Sequence, residues 1–297
     1  MNLTPESILE KASNSPKTMV VAAAENIDIL LAVKDAMDKR IVLPLLVGNM
    51  DKISALASAA RLDLSKAELL SSPSPEASVE ISLKLVAEKK AHILMKGLVN
   101  SAVFLKTALK KEYAIRGSGL LSHIALFFPS FFHKPLLVTD AALNLLPTLE
   151  QKALILQNAV STLQKAGIAR PKVAVLAHNE VPTEKVPASL DARMLANMGA
   201  AGRFGQCEVE GPLALDLAIS SEACKLKGVA SNISGEPDIL LCPDILSGNI
   251  LYKALAFMVK APCAAVIAGA DVPIVMTSRA ENAHSKLLSI ALASALE

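Results

Sequence analysis

Short apolar runs of strand length alternate with helix-patterned runs from one end of this chain to the other. A chain of that kind folds as α/β with a mostly parallel sheet. Thr18 to Ala24 is a continuous apolar run. Asn26 to Lys39 follows with apolar positions at Ile27, Leu30, Leu31, Val33 and Met37, the spacing of one helix face. Ile41 to Val47, closed by Gly48, reads as the next strand. Pro75 to Lys90 reads as a helix, with proline near its start and lysines at its end. His92 to Met95 is a strand, Ser101 to Lys111 a helix, and Ile124 to Phe128 and Leu136 to Val138 are strands. The second half keeps the rhythm. Helices are expected over Leu149 to Lys165, Ser189 to Met198, Leu213 to Ser220 and Gly248 to Val259. Strands are expected over Lys172 to Ala177, Cys207 to Val209, Asp238 to Cys242 and Ala264 to Ile267. Pro273 to Met276 leads into a last helix.

A length of 297 residues suits two modest domains. The expected division is residues 1–140 plus 273–297 for a first α/β domain and 141–272 for a second. The C-terminal helix then returns to the first domain and brings the turn before it to an interdomain cleft. Ligands of α/β proteins usually sit outside the carboxyl ends of the strands.

Composition narrows the function classes. Apolar residues make up 52% and charged residues 20%, enough for a sizeable core, but aromatics are only 3% and tryptophan is absent. The core is therefore aliphatic, and aromatic stacking platforms for single-stranded nucleic acid are not expected. A net charge of +2 without a long basic run leaves no nucleic-acid footprint. The longest stretch free of Asp, Glu, Lys and Arg, Gly117 to His133, is too short and too broken to span a membrane. The N-terminus does not read as a secretory signal. Cys207, Cys224, Cys242 and Cys263 are widely spaced and read as buried small hydrophobes in a reducing compartment. These features point to a cytoplasmic protein.

The chemistry is expected in polar turns that follow apolar runs. In the last of them, Thr277, Ser278 and Arg279 come between a strand and a helix. Backbone N–H groups and the positive dipole end of a helix favour an anion there, and the Arg fork suits phosphate or carboxylate. Arg279 and Lys286 are seven apart, near one stripe of a continuous helix. Ser278 can equally be an N-cap with Glu281 as its capping-box partner. Lys96 directly follows a strand and can reach a phosphate, while Gly97 lets a ligand approach the backbone. Arg116 sits in a Gly/Ser-rich loop that runs to Ser122 and His123; the histidine is either an acid–base group or a structural residue. Asp244, Gly248, Asn249 and Lys253 form another polar turn, in which Asn249 and Lys253 share a helix face. The common phosphate loops and the Gly-x-Ser-x-Gly elbow are absent, and no His/Asp/Glu cluster has metal spacing. The chain reads as an anion-handling enzyme without a metal or a covalent nucleophile.

Taken in order, several motifs resemble the phosphate acetyl/butyryltransferase family, closer to its butyryl branch. They are Met95 to Val99, Leu121 to Ala125, Thr139 to Ala142, Glu210 to Asp216, Pro243-Asp244, Gly248 to Lys253, Pro273 to Ala280 and Lys286 to Leu292. The resemblance implies two α/β domains of the isocitrate/isopropylmalate dehydrogenase type and a homodimer or larger homo-oligomer. It implies reversible transfer of a short acyl group between coenzyme A and inorganic phosphate, with coenzyme A as substrate and no bound cofactor. Ser278 and Arg279 match the family's Ser-Arg pair, in which Arg binds phosphate and Ser supports the transition state. The acetyl branch has an Asp base seven residues after that Ser. Here the position is Ser285, which leaves Glu281 and His284 as the nearest candidates. Phosphate acetyltransferase activity and a non-catalytic protein that binds coenzyme A or acyl phosphate are the alternatives. A dehydrogenase on the same general fold would need an Asp cluster that the sequence lacks.

Overall fold

The structure is a computed structural model, and it describes residues 3–113, 115, 117, 119–277 and 281–297. The chain forms two compact units. The terminal unit comprises Thr4–Gly119 and Ala264–Glu297, and the central unit Leu120–Cys263. The sequence reading drew these crossings at 140/141 and 272/273. The strands at Ser122–Phe127 and Leu136–Thr139 pair with each other, and the second of them pairs with Ile239–Leu241. Both therefore belong with the central unit.

In the terminal unit α1 (Pro5–Ser13) starts where Thr4 and Ser7 exchange capping-box hydrogen bonds. β1 (Lys17–Ala22), α2 (Ile27–Asp38), β2 (Val42–Gly48), α3 (Met50–Ala60), β3 (Glu68–Ser71), α4 (Pro75–Ala87), β4 (Ile93–Lys96) and α5 (Ser101–Ala108) follow. Each helix after a strand begins at a polar cap. Asn26, Asn49, Ser74 and Asn100 accept from backbone N–H groups two or three residues on. That arrangement sets the N-termini of these helices just past the carboxyl ends of the strands.

In the central unit come β5 (Ser122–Phe127), β6 (Leu136–Thr139), α6 (Leu149–Ala166), β7 (Lys172–Leu176), α7 (Pro187–Ala200), β8 (Glu208–Leu213), α8 (Leu215–Ile219), α9 (Ser221–Lys227), β9 (Ile239–Leu241) and α10 (Ile245–Lys253). A π-helical segment, Ala254–Met258, extends α10. β10 (Cys263–Ala268), β11 (Ile274–Val275) and α11 (Ala283–Ala295) complete the chain.

The fold is mixed α/β with mostly parallel pairing. The strand order is β3-β2-β1-β4-β11-β10 in the terminal unit, where only β10–β11 is antiparallel among the described pairs. In the central unit it is β5-β6-β9-β7-β8, with β5–β6 antiparallel. β1 runs between β2 and β4, with Val20 opposite both Leu45 and Leu94. Met19, Val20, Val21, Ile93 and Leu94 are fully buried, as expected of parallel strands covered on both faces. Each such side chain contributes roughly 1.5–3 kcal/mol by leaving water. α11 is buried from Ser285 to Ala295, and the Ser289 hydroxyl ties it to the sheet by accepting from the Ala265 N–H at 2.9 Å.

Three expectations are corrected. The last helix does not begin in the Thr277–Arg279 turn. It begins at Ala283, where Asn282 accepts from the Ser285 N–H, so Ser278 is not its N-cap and Glu281 is not its capping-box partner. Asn is as good an N-cap as Ser and stands nearer to the apolar stripe. The stripe expected for Arg279 and Lys286 involves Arg279, which lies outside the described residues. Gly211-Pro212 does not open a helix, because β8 runs on to Leu213. A Cβ on Gly211 would lie 2.8 Å from Cβ of Val175, so glycine lets this strand close on β7. Finally, α10 starts at Ile245 and not at Gly248, since Asp244 caps it. The helices α1, α3 and α9 and the strand β3 did not stand out in the sequence.

Candidate active site

The carboxyl ends of β1 and β4 open on a cavity of about 240 Å³ within the terminal unit. Lys96 and Gly97 come from the end of β4, Thr277 from the segment after β11, and Lys286 from the first turns of α11. Asn26 and Asn100, the caps of α2 and α5, complete much of the wall, so two helix N-termini face the space. Such termini carry partial positive charge.

The floor is held by a close backbone approach. Ala23, just after β1, adopts φ 56°, and its carbonyl accepts from the Leu98 N–H at 2.6 Å. The Gly97 N–H donates to the Ala22 carbonyl at 2.8 Å. A Cβ on residue 97 would lie 2.1 Å from the Ala23 carbonyl oxygen, so only glycine fits. The Lys96 ammonium donates to the carbonyls of Gly97, at 3.2 Å, and Val99, at 3.1 Å, which fixes it beside the cavity.

Lys286 is the more telling cation. It is 6% exposed, and no side-chain or carbonyl partner holds its ammonium among the described residues. A buried lysine without a counter-charge is costly. Here it lines a polar cavity in which, among the described residues, the one carboxylate belongs to the exposed Asp28. An anion entering this space would meet two lysines and two helix N-termini.

Ser122, His123, Asp244, Gly248 and Asn249 gather elsewhere, in the central unit around Asp140. The buried Asp140 carboxylate accepts from the N–H groups of Ala142 and Leu143, at 2.8 and 3.0 Å, and from the Asn144 amide. His123 is 7% exposed, its Nδ1 is enclosed without a hydrogen-bond partner, and its ring meets Tyr252 edge-on at 5.6 Å. Burial holds the imidazole below its ordinary value of 6.5, and the Asp140 charge pulls the other way. Ser122 is fully buried on β5, where its hydroxyl accepts from the Asn158 amide at 2.9 Å. Asp244 accepts from the N–H and hydroxyl of Ser247. Asn249 donates to the Ala141 carbonyl at 2.9 Å, and a Cβ on Gly248 would lie 2.1 Å from the Asp140 carbonyl oxygen. Asp244 Oδ1 and the Asn249 amide nitrogen are thus engaged by the protein itself, whereas Lys253 is exposed in the last turn of α10.

Arg116, Ser278 and Arg279 lie outside the described residues. Thr277, next in sequence to Ser278, lines the terminal-unit cavity. Glu281 is half-buried and His284 is exposed as the second residue of α11. Ser285 is buried one position before Lys286. Leu98, Val99 and Asn100 belong to the polar turn after β4 that the sequence offers, without a role of their own, and Asn26 reads there only as the start of a helical run. The asparagines had a signal: each follows a strand at once and precedes an apolar helical pattern, where a cap belongs.

The site and the architecture define an α/β protein of mostly parallel pairing with a cavity lined by two lysines beside the carboxyl ends of its strands. The chain matches the family described as Phosphate acetyl/butaryl transferase over residues 3–82 and 74–294, and it belongs to that family. The phosphate butyryltransferase of Clostridium acetobutylicum is 38% identical to it, over 97% of this chain and 96% of that one. A probable phosphate butyryltransferase of Bacillus subtilis is 41% identical over the same shares. Among solved structures, a branched-chain phosphotransacylase from Enterococcus faecalis superposes with a TM-score of 0.82 at 31% identity, covering 94% of this chain and 98% of that one.

Proposed function

We propose that the protein transfers a short acyl group, butyryl or a near relative, between coenzyme A and inorganic phosphate, in either direction. Family membership supports the reaction. The observation that carries the site is the cavity of the terminal unit, where the buried Lys286 stands with Lys96 and Thr277 and makes no ion pair among the described residues. Inorganic phosphate, or the phosphate of an acyl phosphate, is the anion we assign to it. Coenzyme A enters as a substrate, and no resident cofactor is invoked.

A free thiol has a pKa of about 8.5, and its thiolate is the nucleophile. In the direction of acyl-CoA synthesis, the thiolate attacks the acyl carbonyl, the tetrahedral intermediate gathers negative charge on oxygen, and phosphate leaves. Lys96, Lys286 and Arg279, with Arg116, hold the leaving phosphate, and Ser278 supports the oxyanion. Removing one donor of this kind costs about a hundredfold or more in turnover. The thiol proton goes to a base proposed as Glu281 or His284, since the acetyl branch's Asp position is Ser285 here. Holding both substrates in one place supplies much of the remaining acceleration.

The isocitrate dehydrogenase type of two-domain organisation stays part of this reading, and so does a homodimer. In the central unit, Leu246, Ile250, Phe257 and Met258 of α10 and its π-helical extension are each more than half exposed. Leu145 and Leu146 are exposed as well, and the Leu145 carbonyl accepts from the Ile245 N–H at the start of α10. Exposed large apolar side chains gathered on one helix and its extension mark an interaction face, and a second copy is the occupant we assign to it.

A thiol-release assay with butyryl-CoA tests the function. Release that depends on phosphate, and falls by at least about a hundredfold in a folded Arg279→Gln variant, is expected. Protein that is stabilised by coenzyme A yet releases no thiol would instead be a non-catalytic binder.

A further inference from the structure

The two lysines that line the cavity of the terminal unit differ in how they are held. The Lys96 ammonium is committed, since it donates to the carbonyls of Gly97 and Val99 at 3.2 and 3.1 Å. Lys286 makes no ion pair among the described residues and is 6% exposed. A reagent in bulk water has little access to such a side chain, whereas a compound seated in the cavity lies against it. Thr277, also in the wall, offers only a neutral hydroxyl, which is a weak nucleophile without a base. A lysine amine, by contrast, readily attacks carbonyl carbon. An acyl phosphate carries its reactive carbonyl carbon one oxygen away from phosphorus. An amine that touches the phosphate is therefore close to that carbon as well, and holding the two together replaces a bimolecular encounter.

We infer that Lys286 is a modification site: the acyl phosphate seated in this cavity acylates it, and the amide so formed silences the enzyme. The inference rests on the functional reading given above, which brings an acyl phosphate to the cavity. In the step, Lys286 sheds one proton, its nitrogen bonds the acyl carbon, and the bond from that carbon to the phosphate oxygen breaks. Hydrogen phosphate leaves with a second proton from the nitrogen. Nothing is oxidised or reduced, and no further reactant is needed. The product has lost the charge that draws phosphate. It also places an acyl chain in a cavity of about 240 Å³. Coenzyme A protects the lysine by carrying the acyl group away. Activity therefore declines when acyl phosphate is abundant and free coenzyme A is scarce.

Incubation of the whole protein with butyryl phosphate, without coenzyme A, followed by peptide mass spectrometry tests this. Exposed lysines such as Lys52 and Lys253 are expected to react in simple proportion to the reagent. Butyrylation of Lys286 should instead saturate, and inorganic phosphate at ten times its Kd should slow it about tenfold. Absence of a butyryl group from Lys286, or modification that rises linearly and ignores phosphate, would overturn the inference. Thiol release from butyryl-CoA by the same samples should fall in proportion to the fraction of Lys286 modified. Lys286→Arg keeps the charge and presents a guanidinium that stays protonated. Relative to its own starting rate, that variant should lose nothing over the same incubation, and a decline equal to that of the wild type would overturn the silencing. Should the variant fail to fold, the peptide map and residual activity of the wild type still decide. If untreated protein releases no thiol from butyryl-CoA, the transfer reading fails, and the peptide map decides the acylation of Lys286 separately.

Discussion

At the scale of single residues, burial without partners is what separates the working side chains from the rest. Lys286 and His123 are both more than nine-tenths buried, and among the described residues the His123 Nδ1 has no hydrogen-bond partner and Lys286 makes no ion pair. For His123 this has a consequence for stability. The fold holds its imidazole below 6.5, so as pH falls the unfolded chain takes up the proton first. The contribution is intact above pH 6.5 and is lost as pH drops through the lowered value. Thermal denaturation between about pH 7.5 and about pH 5.5 should show it. His123→Phe, which keeps a ring against Tyr252, should lose less melting temperature over that interval than the wild type does. Equal losses would mean that His123 does not titrate as described. Lys96 and Gly97 were legible in the sequence as a lysine and a glycine at a strand's end. Lys286 was legible only as a charge on a helix, because nothing in its neighbours announces that α11 is buried along almost its whole length.

At the scale of elements, the site depends on how strand ends meet helix starts. Gly97 marks a tight junction, since the Ala23 carbonyl occupies the space a side chain would need. Gly97→Ala is expected to destabilise the protein by roughly 1–3 kcal/mol, read from chemical denaturation, and to weaken phosphate binding by moving Lys96. A fully stable variant with ordinary phosphate affinity would show that the junction yields. Removing a cap is milder. Asn282→Ala should cost about 1 kcal/mol and would leave the Ser285 N–H without its acceptor. The alternation of strands and helices could be read because parallel strands are continuous apolar runs and the longer helices keep their period. What escaped has physical causes. β3 is a short strand with no buried residue, and α1 and α9 are short helices of mixed pattern. Gly211-Pro212 carries the composition of a turn but lies within a strand, because its conformation is set by contact with Val175. The start of α11 was misplaced because Ser278 and Asn282 are both good caps, and local sequence does not choose between them.

At the scale of the whole molecule, the division into units was legible as a discontinuous pattern, while its edges were not. Strand partners decide the edges, and partners are long-range. The same holds for the site. Motif order pointed to the family, and the structure adds Asn26, the cap of α2, which no motif singled out, and gives Leu98 and Asn100 a place in the cavity wall. The proposed self-association is assigned to the apolar face on α10 and its π-helical extension. Ile250→Asp together with Phe257→Asp should shift sedimentation toward the monomer without loss of secondary structure, and an unchanged dimer would place the interface elsewhere. The central claim is that the cavity of Lys96, Thr277 and Lys286 seats the phosphate. The most direct test is the KM for inorganic phosphate in Lys286→Gln, with butyryl-CoA held saturating and folding checked by circular dichroism. A buried charge-assisted contact of this kind predicts a rise of roughly tenfold to a hundredfold. A folded variant whose KM for phosphate equals that of the wild type would contradict it.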